Sequence, residues 1–239
     1  MSANNYLMDI KDIIEASPVA CFIFAVTIAS SIYALQNQDF ARKWMLNPYT
    51  LVHEKKYGQV LTSGFIHADW MHLVFNMLSF NFFAVYVQGG LPLEYMMTEA
   101  VGPIGHLYFG LIYMGAMVLG DFSTIFKQKD NPGYYSLGAS GAISGIIFSY
   151  ILFQPTSKIG IFFFPSMPAP LFAVLYVIFS IYAGRGRNTR INHDAHLWGG
   201  LFGFALTIAL FPGIFTQLPE NNKEVTIIVR FAESIKNCH

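Results

Sequence analysis

Of the 239 residues, 54% are apolar and 12% charged, where an average soluble domain runs near 25% charged, and the mean hydropathy is +0.45, so the composition is that of an integral membrane protein. Fourteen basic and fourteen acidic residues cancel, and the basic ones are scattered through loops, which leaves no footprint for nucleic acid as a partner. Cys21 sits in an apolar segment and Cys238 beside the C-terminus, a pair too unlike in setting to suggest a disulfide.

Six apolar segments approach the length of about 20 residues that crosses a hydrocarbon core of about 30 Å. They cover 18–35, 70–87, 104–120, 138–154, 168–183 and 195–211. No basic n-region or small-residue cleavage site precedes the first, which therefore reads as a retained span and not a signal peptide. Pro18, Asp121, Pro165 with Pro168, Gly184 and Pro212 punctuate the ends. Every charged residue falls outside the spans or at their edges, as Asp69, Asp121 and Asp194 do, which argues against an ion-coupled transporter. The expected fold is an all-α membrane protein, with an N-terminal tail (1–17), one six-transmembrane-helix domain (18–212) and a C-terminal tail (213–239). In that tail the β-branched run Val225 to Val229 has no decisive periodicity.

The connections differ in kind. Residues 36–69 carry Trp44, Met45, Leu46, Tyr49, Leu51 and Val52, too apolar for a hydrophilic loop and too broken for a span, and are expected to lie in the interface beside the bundle. Residues 88–103 read as a Gly- and Pro-bearing loop with an acidic, Met-rich turn, 121–137 as a charged loop, and 184–194 as a short basic one. Trp44, Trp70 and Trp198 are the expected interfacial anchors.

Spans two, four and six run in the same direction, so their N-terminal ends share one membrane face. There the polar residues gather: His67, His72 and Asn76, then Ser140 and Ser144, then His193 and His196. At about 1.5 Å per residue, His72, Ser140 and His196 each lie within roughly 3 Å of the start of their spans, at one depth. Gly141 and Gly145 form a small-residue stripe, which taken alone is commonplace helix packing in lipid. On span six, His196, Gly199 and Gly203 follow i, i+3, i+7 and share a stripe; if the two stripes meet, His196 is brought against Ser140. A serine hydroxyl beside a neutral imidazole is the minimum for nucleophilic attack on a carbonyl. The backbone N–H of Ser140 at a helix start, with the side chains of His72 and Asn76, could serve the oxyanion. Asp194, two residues before His196, points to another face and is expected to cap span six, leaving a dyad and no triad. Ser144 is expected to be a packing residue.

Three motifs together, His67-x4-His72-x3-Asn76, Gly138-x-Ser140-Gly141 and Ala195-His196-x2-Gly199-x3-Gly203, resemble the signatures of the rhomboid intramembrane serine proteases, in that family's order and over residues 36–212. The resemblance implies a Ser140/His196 dyad that hydrolyses peptide bonds in or next to transmembrane segments of other proteins. His72 and Asn76 would polarise the tetrahedral intermediate, and neither cofactor nor metal would be needed. It also implies a bundle in the plasma (inner) membrane, both termini cytoplasmic and the site opening to the non-cytoplasmic face. Four positions depart from the family's commoner pattern. Gly58 and Gln59 stand where a Trp-Arg pair is frequent, and Gln88 where a glutamate is. Ser144 replaces a tyrosine that in some members stacks on the catalytic ring, which leaves Trp198 or the backbone to orient His196.

Two rivals stand beside this reading. A metal site could draw on His67, His72, His193 and His196, although no Cys or carboxylate joins them within the spans and such a site has no use for Ser140. A catalytically silent relative would typically lack the serine or the histidine, and this chain has both. The charges oppose the implied orientation: Arg42, Lys43, Lys55, Lys56, Lys127, Lys129, Arg185, Arg187 and Arg190 lie on the face of the candidate site, against Lys11, Lys158, Lys223, Arg230 and Lys236 on the other, and the positive-inside rule would put the richer face in the cytoplasm.

Overall fold

Helices occupy all six apolar segments in the computed structural model, which describes residues 10–85, 91–160, 166–184 and 192–215. Gln88, the arginines of the 184–194 connection, the Val225 to Val229 run and Cys238 lie outside the described residues. In chain order the helices are α1 (Ile10–Ala16), α2 (Pro18–Gln36), α3 (Gln38–Trp44), α4 (Pro48–His53), α5 (Gln59–Thr62) and α6 (Trp70–Phe80), which runs on into a π turn at Asn81–Val85. Then come α7 (Leu93–Val101), α8 (Ile104–Gly120), α9 (Phe122–Gln128), α10 (Ser140–Phe153), α11 (Ala169–Ala183) and α12 (His193–Leu210). A two-residue antiparallel pair, β1 (Lys158–Ile159) and β2 (Met167–Pro168), joins α10 to α11. By length and composition alone, Pro18–Gln36 and the continuous stretch Ile104–Gln128 could each cross a membrane, while Trp70–Val85, Ser140–Phe153 and Ala169–Ala183 are shorter apolar helices.

The helix at the centre is α10. Every residue from Gly141 to Leu152 is buried, as expected of a helix that is apolar on all sides. It packs on α12 and α8, and the α10–α12 contact is backbone against backbone. A Cβ on Gly199 would collide with the Gly141 carbonyl, and one on Gly203 would stand 2.5 Å from the Gly145 carbonyl oxygen. Deeper along the same seam, Ser149 Oγ and Thr207 Oγ1 hydrogen-bond at 2.7 Å, polar glue of the kind that holds helices together in lipid. Around this core, α11 turns Leu171, Val174, Leu175, Ile178, Phe179 and Ile181 outward.

Three local expectations are corrected. Asn192, not Asp194, caps α12: its Oδ1 accepts the Ala195 N–H at 3.1 Å. The helix starts at His193, two residues before the predicted span, so Asp194 falls inside the first turn and pairs with Lys127 at 2.7 Å. The Met-rich turn within 88–103 is the helix α7, whose Leu93, Glu94, Met96 and Met97 are buried. Burial of a carboxylate there has a definite cause. Glu94 accepts the N–H groups of Val19 (3.1 Å) and Ala20 (2.7 Å) and pairs with His106 Nδ1 at 2.5 Å. It thereby satisfies orphan donors at the N-terminus of α2 and opposes the positive end of that helix.

Glu94→Ala strands those donors and leaves His106 without its partner, so it should cost about 3 to 5 kcal/mol, the range for removing one member of a buried pair. SDS-titrated unfolding would register it, and an unchanged midpoint would mean that Glu94 does not support α2.

The first connection is held by Gln59, at one of the positions where a Trp-Arg pair is common. Its buried side-chain carbonyl accepts the Asn47 N–H (3.2 Å) and the Thr50 hydroxyl (3.1 Å). Asn47 in turn caps α4 and donates to the Pro132 carbonyl at 3.0 Å. Leu46 and Ser136 exchange two backbone hydrogen bonds of 2.9 Å. The first connection is therefore bound to the strand of chain that leads into α10. Trp70 and Trp198 face outward, and Trp44 packs on Phe40.

Candidate active site

Ser140 is the first residue of α10, which begins abruptly because Gly138 has φ +119°, a conformation that only glycine adopts readily. Glycine is required there for a second reason. The His72 ring lies on its Cα, and a Cβ would stand 2.6 Å from His72 Cε1. The first helical hydrogen bond runs from Ile143 N–H to the Ala139 carbonyl. The N–H groups of Ser140, Gly141 and Ala142 are thus left at the helix start without helical partners, a setting that favours negative charge.

Two hydrogen bonds hold the turn from behind: Gly138 N–H to the Ser63 carbonyl (2.9 Å) and Ala139 N–H to His67 Nε2 (3.4 Å). Because Nε2 accepts, the ring proton of His67 sits on Nδ1 and is donated to Ser31 Oγ on α2 at 2.9 Å. Burial, reinforced by His72 and opposed by Asp69, presses the His67 imidazole down to about 3, so it stays neutral in this role. His67 entered the sequence motif without an assigned function. Here it braces the residue next to Ser140.

His72 and Asn76 share a face of α6, as their spacing predicts. Asp69 caps that helix, accepting the His72 N–H at 2.8 Å. Asn76 is buried and its Nδ2 donates to the His72 carbonyl at 3.0 Å, which commits one amide hydrogen and leaves the other. The His72 ring is edge-on to His67 at 4.9 Å between centroids.

His196 lies in the first turn of α12, directly after Ala195, whose carbonyl would be 3.2 Å from a Cβ on Gly141. The glycine seam therefore sets the start of α10 beside the start of α12. No hydrogen bond joins the Ser140 hydroxyl to the His196 ring. Both residues are half-buried. Such contacts are often long before substrate arrives. Trp198, one of the expected supports of His196, is half exposed, and the Tyr176 ring of α11 lies nearly parallel to His196, 25° between planes and 6.5 Å between centroids. Ser144 does more than pack. Its hydroxyl donates to the Ser140 carbonyl at 2.7 Å and meets Tyr176 OH at 2.5 Å. Nothing in linear sequence ties Tyr176 to the motifs; the available signal was a phenol inside an apolar span, whose O–H requires a partner.

The four histidines pair as His67 with His72 and His193 with His196. Among the described residues no three His, Cys, Asp or Glu side chains form a group that could hold a metal ion.

An apolar helical bundle with a serine, histidines and an amide gathered at one end of its central helices defines a class of membrane protein with a built polar site. Residues 54–213 match the model of the Rhomboid domain, and the chain belongs to the rhomboid family, whose members are embedded in membranes. It is 26% identical over 186 residues to RHOMBOID-like protein 12, mitochondrial, of Arabidopsis thaliana, covering 74% of this chain and 54% of that one. It is 30% identical over 161 residues to RHOMBOID-like protein 2 of the same plant, covering 67% of this chain and 44% of that one. With "Putative rhomboid protease YdcA" of Bacillus subtilis (strain 168) the identity is 29% over 206 residues, covering 81% and 89%. The chain thus spans about half the length of the plant relatives and most of the bacterial one.

Proposed function

We propose that this chain is an intramembrane serine endopeptidase that cleaves other membrane proteins in or next to their transmembrane segments. The observation that supports the reading is the α10–α12 glycine seam, in which Gly141 lies against Ala195, the chain neighbours of Ser140 and His196. Ser140 Oγ attacks the scissile carbonyl while His196 takes its proton. The tetrahedral oxyanion is met by N–H groups at the start of α10 and by the side chains of His72 and Asn76. His196 returns the proton to the leaving amine. Water, activated by the same ring, then releases the acyl group from Ser140. All six apolar helices cross the bilayer in this reading, with the first connection in the interface. The site opens on the face of loops one, three and five, away from the cytoplasm of the plasma (inner) membrane. Fractionation tests that location, since relatives in Arabidopsis thaliana and Saccharomyces cerevisiae are named as mitochondrial.

The test is to reconstitute the purified chain in liposomes with a single-span reporter and map the product ends. A cut within or beside the reporter's span, made by the wild type and not by Ser140→Ala, supports the reading; an intact reporter with both contradicts it.

His72→Ala and Asn76→Ala should each lower kcat by about 10² to 10³, the usual cost of one oxyanion donor, without abolishing turnover. Steady-state rates on the same reporter decide. Total loss in both, with folding verified, would assign the two residues a structural role instead.

A further inference from the structure

We infer that Tyr176 is the positioning residue for the His196 base, doing from α11 what Ser144 on α10 has no ring to do. This inference rests on the reading of Ser140 and His196 as nucleophile and base.

Two contacts of one side chain carry it. The Tyr176 ring lies 6.5 Å from that of His196 at 25°, within the offset-stacked range. The direction of the second contact follows from its neighbour. Ser144 Oγ must donate to the Ser140 carbonyl, which can only accept, so the tyrosine O–H is the donor to Ser144. A single phenol thus connects the backbone of the nucleophile to the face of the base. Phe148 and Phe172 fix its ring in turn, with centroids 5.6 Å and 5.8 Å away.

The geometry divides the work between the two ends of the side chain. The hydroxyl ties α11 to the first turn of α10, and the flat face limits rotation of the imidazole, which has no hydrogen bond from the described residues to hold it. Phe148 and Phe172 keep that face beside His196 without the hydroxyl, so the ring and not the O–H sets the orientation of the base.

The experiment compares Tyr176→Phe, Tyr176→Leu and Ser144→Ala in liposomes with the single-span reporter, alongside fluorophosphonate labelling of each. Phe keeps the ring, and Ser144→Ala keeps it too, so both should retain kcat within about threefold of wild type. Leu removes the stacking face and should lower kcat by about 10², the cost of a misplaced catalytic group, with KM within about twofold. If Leu fails to fold, Tyr176→Met carries the same expectation. A folded Leu or Met variant with wild-type kcat would overturn the inference, as would Phe losing as much as Leu, since then the ring is not what acts. Failure of the underlying reading looks different: the wild type itself would neither label nor cleave.

Discussion

Ser140→Ala and His196→Ala should each reduce cleavage of a membrane-spanning substrate to background, and combining them should make the loss no worse. In a serine protease the nucleophile and its base act as a unit, and removing either costs about 10⁶ in kcat. Ser140 sits at the start of α10, and its hydroxyl has no hydrogen bond from the described residues, the Ser144 bond going to its carbonyl. Alanine there removes the attacking oxygen and disturbs nothing that holds the turn, because Gly138 and Ala139 make the bonds to Ser63 and His67. His196 is likewise braced by contact and not by a hydrogen-bond network. Initial rates of purified variants, with unfolding midpoints beside them, give the answer. Either variant cleaving near the wild-type rate would remove the dyad.

Gly199→Val is the second large effect, and it acts on the fold. The added Cβ meets the Gly141 carbonyl, carbon and Cα, all backbone, so no rotamer change relieves it and α10 must separate from α12. Overpacking of this kind costs about 1 to 3 kcal/mol, occasionally more. Since the seam also sets the start of α10 beside the start of α12, where the proposed dyad lies, activity should fall with stability. Gly58→Ala is the matched control: nothing lies within 4 Å of its Cβ position and φ is −59°, so neither stability nor activity should change. SDS-titrated unfolding of the two variants separates a seam from a tolerant stripe. Equal midpoints would show that the glycines are dispensable.

The parts of this site legible in sequence are those governed by helix geometry. The membrane restricts spans to helices, parity then puts alternate ends on one face, and i, i+3, i+7 spacing sets Gly199 and Gly203 in line with His196. Those rules were enough to bring α12 against Gly141 and Gly145. What escaped depends on contacts between residues far apart in the chain. Glu94 is read as an acid in a turn until α2 is seen to begin above it, and Gln59 as a gap in a family pattern until its carbonyl is seen to hold Asn47. Tyr176 belongs to an apolar stretch with no motif, and only the packing of α11 gives it His196 and Ser144 as neighbours. The exchange of Asn192 for Asp194 as cap has a local cause: α12 begins two residues early, and either side chain could cap a helix that starts one residue after it.

The most direct measurement is covalent labelling of the folded chain with a fluorophosphonate, followed by intact mass and peptide mapping. The proposed dyad predicts one adduct per chain, located at Ser140, absent from Ser140→Ala and strongly slowed in His196→Ala. An adduct at another residue, or labelling of Ser140→Ala at the wild-type rate, would contradict it.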